Sequence, residues 1–222
     1  MQIASYIDHT LLKSATSIAE IEQLCKEAAE YGFAAVCIPP PFVKRCKNIL
    51  AQTHVRVATV IGFPFGYAAT ESKMAETVLA LVDQADELDM VINLIALRMN
   101  DWNYLENEVK LLTDIVHQKN KIIKVIIESG ILRREEIIQC CETFSHLNID
   151  FIKTSTGYAE KGASIESVQL IKETLPTGIR IKASGGIKTY QFAKQLIEAG
   201  AQRLGCSASV AIMKEEGATE FK

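Results

Sequence analysis

Four short segments alternate in a way that could support carbonyl chemistry. Glu87, Asp89, Val91 and Asn93 share one parity, as do Lys124, Ile126 and Glu128, then Phe151, Lys153 and Ser155, then Arg180, Lys182 and Ser184. Residues two apart project from the same face of a β-strand, so each set occupies one side of an extended run. The opposite parity is apolar, with Leu88, Met90 and Ile92 in one run and Val125 and Ile127 in the next. If helices cover the apolar sides of a barrel, Asp89, Lys124, Lys153 and Lys182 point into its lumen. Buried unpaired charge is costly, so these groups must pair with one another. A partly desolvated lysine beside another cation loses its proton more easily, and the free amine can attack a carbonyl carbon and form an imine. The competing reading is a set of structural ion pairs, or strand-end residues reaching solvent.

Two glycine-bearing segments close the last of these runs: Ala183-Ser184-Gly185-Gly186-Ile187-Lys188 and Leu204-Gly205-Cys206-Ser207-Ala208-Ser209. Glycines let backbone N–H groups approach an anion, and a helix start just beyond adds a favourable dipole. Barrels commonly hold a phosphate between the loops after their seventh and eighth strands. Gly185, Gly186, Gly205 and Ser207 are therefore candidate phosphate contacts, with Lys188 adding a point charge. A plain turn is the alternative for Gly185-Gly186.

Such groups need strands to carry them. Extended runs recur at Ser5–His9, Ala34–Ile38, Arg56–Ile61, Leu88–Asn93, Ile122–Glu128, Asp150–Ser155, Ile179–Ser184 and Gln202–Cys206. Helical periodicity fills the intervals, at Ile18–Tyr31, Glu71–Asp86, Tyr104–Gln118, Arg134–Leu147, Ile165–Thr174 and Tyr190–Ala199. Strand-then-helix alternation predicts parallel βαβ units. Eight strands suit a closed barrel better than an open sheet. The expectation is an α/β fold, one (β/α)8 TIM barrel spanning residues 1–222. The first run is short and could be helical. Gly32 and Gly200 fall where helices end and a positive φ is needed.

Composition narrows the function. A formal charge of −3 offers no basic footprint for nucleic acid or anionic lipid. Six cysteines lack CxxC spacing and read as buried, reduced thiols, which implies a cytoplasmic protein. The start lacks the features of a signal peptide, and no run approaches the length of a membrane span. The expected partners are small molecules, with a homo-oligomer left open. Glu135 and Glu136 after Arg133 and Arg134 read as a solvated helix start, His9 as a hydrogen-bonded structural histidine, and Trp102 as a local packing residue. His54, His117 and His146 are assigned no role.

At this point the motifs resemble a known family. Phe151-Ile152-Lys153-Thr154-Ser155-Thr156-Gly157 is similar to the signature of deoxyribose-phosphate aldolases. Ile7-Asp8-His9-Thr10-Leu11-Leu12-Lys13, Ala35-Val36-Cys37-Ile38-Pro39, Ile61-Gly62-Phe63-Pro64, Asp86 to Asn93, Lys124 to Gly130 and Ile181 to Gly186 resemble the same family in the same order. The resemblance implies that Lys153 forms the imine, that Lys182 perturbs it, and that Lys182 joins a proton relay with Asp89. It implies that Lys124 belongs to the lumen network, that Asp8, Thr10 and Cys37 line or border the substrate site, and that Thr156 contacts substrate. The implied reaction joins acetaldehyde to glyceraldehyde 3-phosphate, reversibly, to give 2-deoxyribose 5-phosphate without metal or organic cofactor.

Three positions depart from the family. Tyr158 stands where some members carry lysine, Lys188 where arginine is frequent, and Phe221 near the end where some place a tyrosine. Rival readings are a phosphosugar epimerase or isomerase, a Schiff-base aldolase with a ketone donor, and a silent barrel used for assembly. The first would need acid/base carboxylates or metal-binding histidines rather than paired lysines. A donor assay separates the second, and the intact Lys153, Lys182 and Asp89 set argues against the third.

Overall fold

The computed structural model describes residues 3–220. Strands β1 (Ile7–Thr10), β2 (Ala35–Ile38), β3 (Arg56–Ile61), β4 (Glu87–Val91), β5 (Ile122–Ile126), β6 (Phe151–Lys153), β7 (Arg180–Ser184) and β8 (Arg203–Cys206) close a parallel barrel in chain order. Helices α1 (Ile18–Tyr31), α2 (Val43–Ile49), α3 (Thr70–Val82), α4 (Leu94–Arg98), α5 (Trp102–His117), α6 (Arg134–Ser145), α7 (Ile165–Thr174), α8 (Tyr190–Ala199) and α9 (Ser209–Glu220) wrap it. This is the (β/α)8 barrel expected from the sequence. Among the described residues, no helix is long and apolar enough to cross a membrane.

Local signals explain the helices. Ser17 and Glu20 form a reciprocal capping box at the start of α1, which satisfies N–H groups that lack helical partners. Ile21, Leu24, Cys25 and Ala28 recur at helical spacing and are buried, while Gly32 ends the helix in the left-handed region. The short α2 and α4, and α9 at the end, were not anticipated. The first two span 7 and 5 residues, too few turns for periodicity to show. At the other end of the chain, Ile3–Tyr6 forms a 3-10 turn, so β1 begins at Ile7.

The core has two compartments. Leu88, Met90, Ile92, Val125 and Ile127 face the helices, as their parity requires. Inside the barrel, Cys37, Ala58 and Val60 form a small apolar cluster that Leu12 and Phe63 pack against. Much of the remaining lumen is charged. That division sets up the site.

Candidate active site

The network begins on a floor. Phe151 is buried, and the Arg180 guanidinium lies over its ring at 4.0 Å from the centroid. Above it, β4 to β6 stand in register with Asp89 opposite Lys124, and Lys153 pairs with Lys182 between β6 and β7. One oxygen of Asp89 accepts from Lys153 Nζ at 2.9 Å and from Lys182 Nζ at 2.7 Å. Its other oxygen accepts from Lys124 Nζ at 2.7 Å. Lys182 also donates to Asp8, whose second oxygen accepts from Arg203 at 2.6 Å. Glu87 completes the set, 2.6 Å from Lys124 and 3.1 Å from Arg203. The lumen charges do pair, as burial demands.

Pairing settles the protonation states. Burial alone would raise the Asp89 carboxyl, but Lys124, Lys153 and Lys182 hold it well below the usual carboxylate range. Asp8 is held down in the same way, against burial, by Lys182 and Arg203. Burial works against the Lys182 ammonium, yet Asp8 and Asp89 keep it well above the ordinary lysine value. The two carboxylates thus favour the charged form of Lys182. Burial pushes the Cys37 thiol up, so the sulfur 3.9 Å from Asp89 is an uncharged neighbour.

Over the network opens a cavity of about 290 Å³. Lys153, Thr10, Thr156, Gly185, Gly186, Gly205 and Ser207 all line it. Gly186 has φ of 78°, a conformation that costs other residues strain. Gly205 is required by proximity, since a Cβ there would lie 3.2 Å from Cε of Lys182 and 2.8 Å from Cβ of Ser184. Lys188 lies at the rim.

Asp8, Cys37 and Lys124 are fully buried and absent from the cavity wall. They sit deeper along their strands and act on the network, whereas Thr10, two residues beyond Asp8, reaches the cavity. His9 is held by Ser209 and Glu27 at 3.0 and 2.8 Å, a structural role. Trp102 packs against the main core from the start of α5. Phe221 lies outside the described residues.

Sequence reasoning passed over Arg203, Glu87 and Lys13. Arg203 shares parity with Gly205 in the eighth run, so the alternation used for the other strands would have found it. Parity puts Glu87 on the lumen face, but its role depends on its partner Arg203, four strands away. Lys13 lines the cavity just past the C-terminal end of β1, where barrel sites form. Its position in the loop was a usable signal. Among the described residues, no group of three or more His, Cys, Asp or Glu side chains is arranged to hold a metal ion.

Comparison with known proteins identifies relatives of the whole chain. Residues 2–215 match the model of the family described as DeoC/LacD family aldolase. The chain is 46% identical over 216 residues to a deoxyribose-phosphate aldolase of Caldicellulosiruptor saccharolyticus, covering 97% of this chain and 98% of the relative. It is 46% identical over 213 residues to deoxyribose-phosphate aldolase 1 of Bacillus licheniformis, covering 96% and 95%. Among solved structures, the tetrameric deoxyribose phosphate aldolase of Aeropyrum pernix superposes with a TM-score of 0.91 at 28% identity, over 98% of this chain and 92% of that one.

Proposed function

The chain belongs to the DeoC/LacD family of aldolases, and on that premise we propose that Lys153 is the amine through which it interconverts 2-deoxyribose 5-phosphate with acetaldehyde and glyceraldehyde 3-phosphate. One observation carries the assignment. Lys153 lines the cavity, while Lys124 and Lys182 stay fully buried beneath it.

Charge balance supports the same residue. The buried lumen holds three carboxylates, Asp8, Glu87 and Asp89, and four cations, Lys124, Lys153, Lys182 and Arg203. Lys153 can lose its proton without stranding a carboxylate. Lys124 and Lys182 still compensate Asp89 in that state, so no buried carboxylate is left unpaired.

In cleavage, the Lys153 amine adds to the aldehyde carbon of the open-chain sugar, and loss of water leaves a protonated imine. That cation draws the electrons of the C2–C3 bond as the C3 hydroxyl gives up its proton. Glyceraldehyde 3-phosphate departs, leaving an enamine on Lys153. Protonation at carbon and hydrolysis then release acetaldehyde and the amine. We assign the proton traffic to a water held by Asp89 and Lys182; Asp89 lies within hydrogen-bond reach of both lysines. The phosphate is assigned to Gly185, Gly186, Gly205 and Ser207, with Lys13 and Lys188 at the rim. Thr10 and Thr156 complete the substrate wall, and Asp8, Cys37 and Lys124 support it from below.

The test is direct. Purified protein given 2-deoxyribose 5-phosphate should release acetaldehyde and glyceraldehyde 3-phosphate in equal amounts, and acetone should not replace acetaldehyde efficiently in the reverse direction. Failure to release either product would overturn the reading. Three further expectations are proposed with it. Residues 1–222 form one domain, which should unfold in a single transition. The six cysteines are free and buried, which favours a reducing compartment and so a cytoplasmic location. The tetrameric relative supports a homo-oligomer, to be measured by light scattering.

A further inference from the structure

Glu128 is a buried carboxylate that the mechanism above leaves unused. It follows β5, where the strand alternation gives way: φ is 56° and ψ 52°, the left-handed region that residues other than glycine rarely adopt. Strained backbone of this kind clusters at functional sites. Next to it, Ile127 N donates to Lys153 O at 3.1 Å and Ser129 N donates to Thr154 O at 2.7 Å, so the turn is fastened to the segment that bears the nucleophile.

The bend aims the carboxylate at one residue. Glu128 accepts from the backbone N–H of Thr156 at 3.2 Å and from the Thr156 hydroxyl. The hydroxyl oxygen in turn accepts from Tyr158 N at 3.0 Å. A hydroxyl has one proton and two lone pairs to offer. Here the proton is committed to Glu128 and one lone pair to Tyr158. What Thr156 has left for the cavity is a single acceptor.

We infer that Glu128 is a specificity-determining positioning residue, which turns Thr156 into an acceptor that reads a hydroxyl donor on the substrate. The inference rests on the proposed use of the Lys153 cavity. Thr156 lines that cavity together with Lys153 and with Gly185 and Gly186. The matching group on glyceraldehyde 3-phosphate is its C2 hydroxyl, which lies between the carbonyl attacked by the Lys153 enamine and the phosphate assigned to the glycine loop. Burial pushes the Glu128 carboxyl up, while the two Thr156 hydrogen bonds and the Lys153 charge favour its ionised, acceptor-only form.

The experiment compares two acceptor aldehydes with acetaldehyde as donor, above neutral pH. One is glyceraldehyde 3-phosphate. The other carries fluorine in place of the C2 hydroxyl and so cannot donate a hydrogen bond. The readout is the ratio of their kcat/KM values. In Glu128→Gln the amide N–H₂ donates to Thr156, and the threonine proton is freed to face the cavity. The ratio should then fall by about tenfold from its value in the unsubstituted enzyme. Thr156→Val should lower it similarly, and Thr156→Ser, which keeps the hydroxyl, should preserve it. Glu128→Asn provides a second variant that tolerates left-handed backbone and should also lower the ratio. Equal loss with both aldehydes in the Glu128 variants, with the ratio unchanged, would make Glu128 a loop brace and overturn the inference. An unchanged ratio in Thr156→Val would overturn it as well. Imine formation is tested separately by trapping at Lys153, so a failure of that reading is told apart from a failure of this one.

Discussion

Lys153 and Lys182, on adjacent strands, donate to the same oxygen of Asp89, at 2.9 and 2.7 Å. The sequence suggested two like charges acting on each other directly. The structure inserts a shared carboxylate between them, so Lys182 acts both through its field and through its hold on Asp89. In Lys182→Met, Asp89 loses one of its three cations, which favours the proton on Lys153. Activity at neutral pH should therefore fall by several orders of magnitude in a folded protein. Removing a nearby cation favours the protonated amine, so the acid limb of the pH–rate profile should move alkaline and part of the activity should return there. The pH–rate profile of the variant is the check, and an acid limb that stays in place would show that Lys182 does not tune the nucleophile by charge.

Asp89→Asn should destabilise the fold by about 3–5 kcal/mol, because it leaves buried cations without their counter-charge. The sign with pH follows from the direction of the shift. Asp89 is held below its unfolded value, so its contribution is present above that value and lost as the pH falls through the folded one. The stability gap between the parent and the variant should be flat from about pH 5 upward and should narrow only below about pH 4. Urea titrations across that range measure it. A gap that widens in acid would contradict the pairing.

Gly186→Val puts a branched residue where φ is 78° and turns the backbone N–H groups of the loop away from the cavity. Losing a hydrogen bond to a charged group costs about 1.5–3 kcal/mol, or roughly 10–100-fold in affinity. KM for 2-deoxyribose 5-phosphate should rise on that scale, with little change for unphosphorylated 2-deoxyribose. Steady-state kinetics on both substrates decide it, and equal damage to the two would mean that the loop has only a structural part.

Much of this is legible in the sequence alone. Charge at one parity and apolar residues at the other marked β4 to β7, and those strands do carry Asp89, Lys124, Lys153 and Lys182 into the lumen. What was hidden is what alternation does not encode. Arg203 and Glu87 matter because strands distant in sequence close a ring around Asp8. Parity put Glu128 on the lumen face, but a positive φ redirects it to Thr156. The first strand was misplaced because Ile3–Tyr6 curls before the chain extends.

The central claim is that Lys153 is the imine-forming amine, and trapping measures it most directly. Borohydride added with acetaldehyde present should reduce the imine to a stable secondary amine. Peptide mass analysis should then find one ethyl group, on the peptide containing Lys153. Lys153→Arg should trap nothing and turn over nothing, because a guanidinium remains protonated and cannot form the imine. An ethyl group on any other lysine, or no adduct in an active enzyme, would contradict the account.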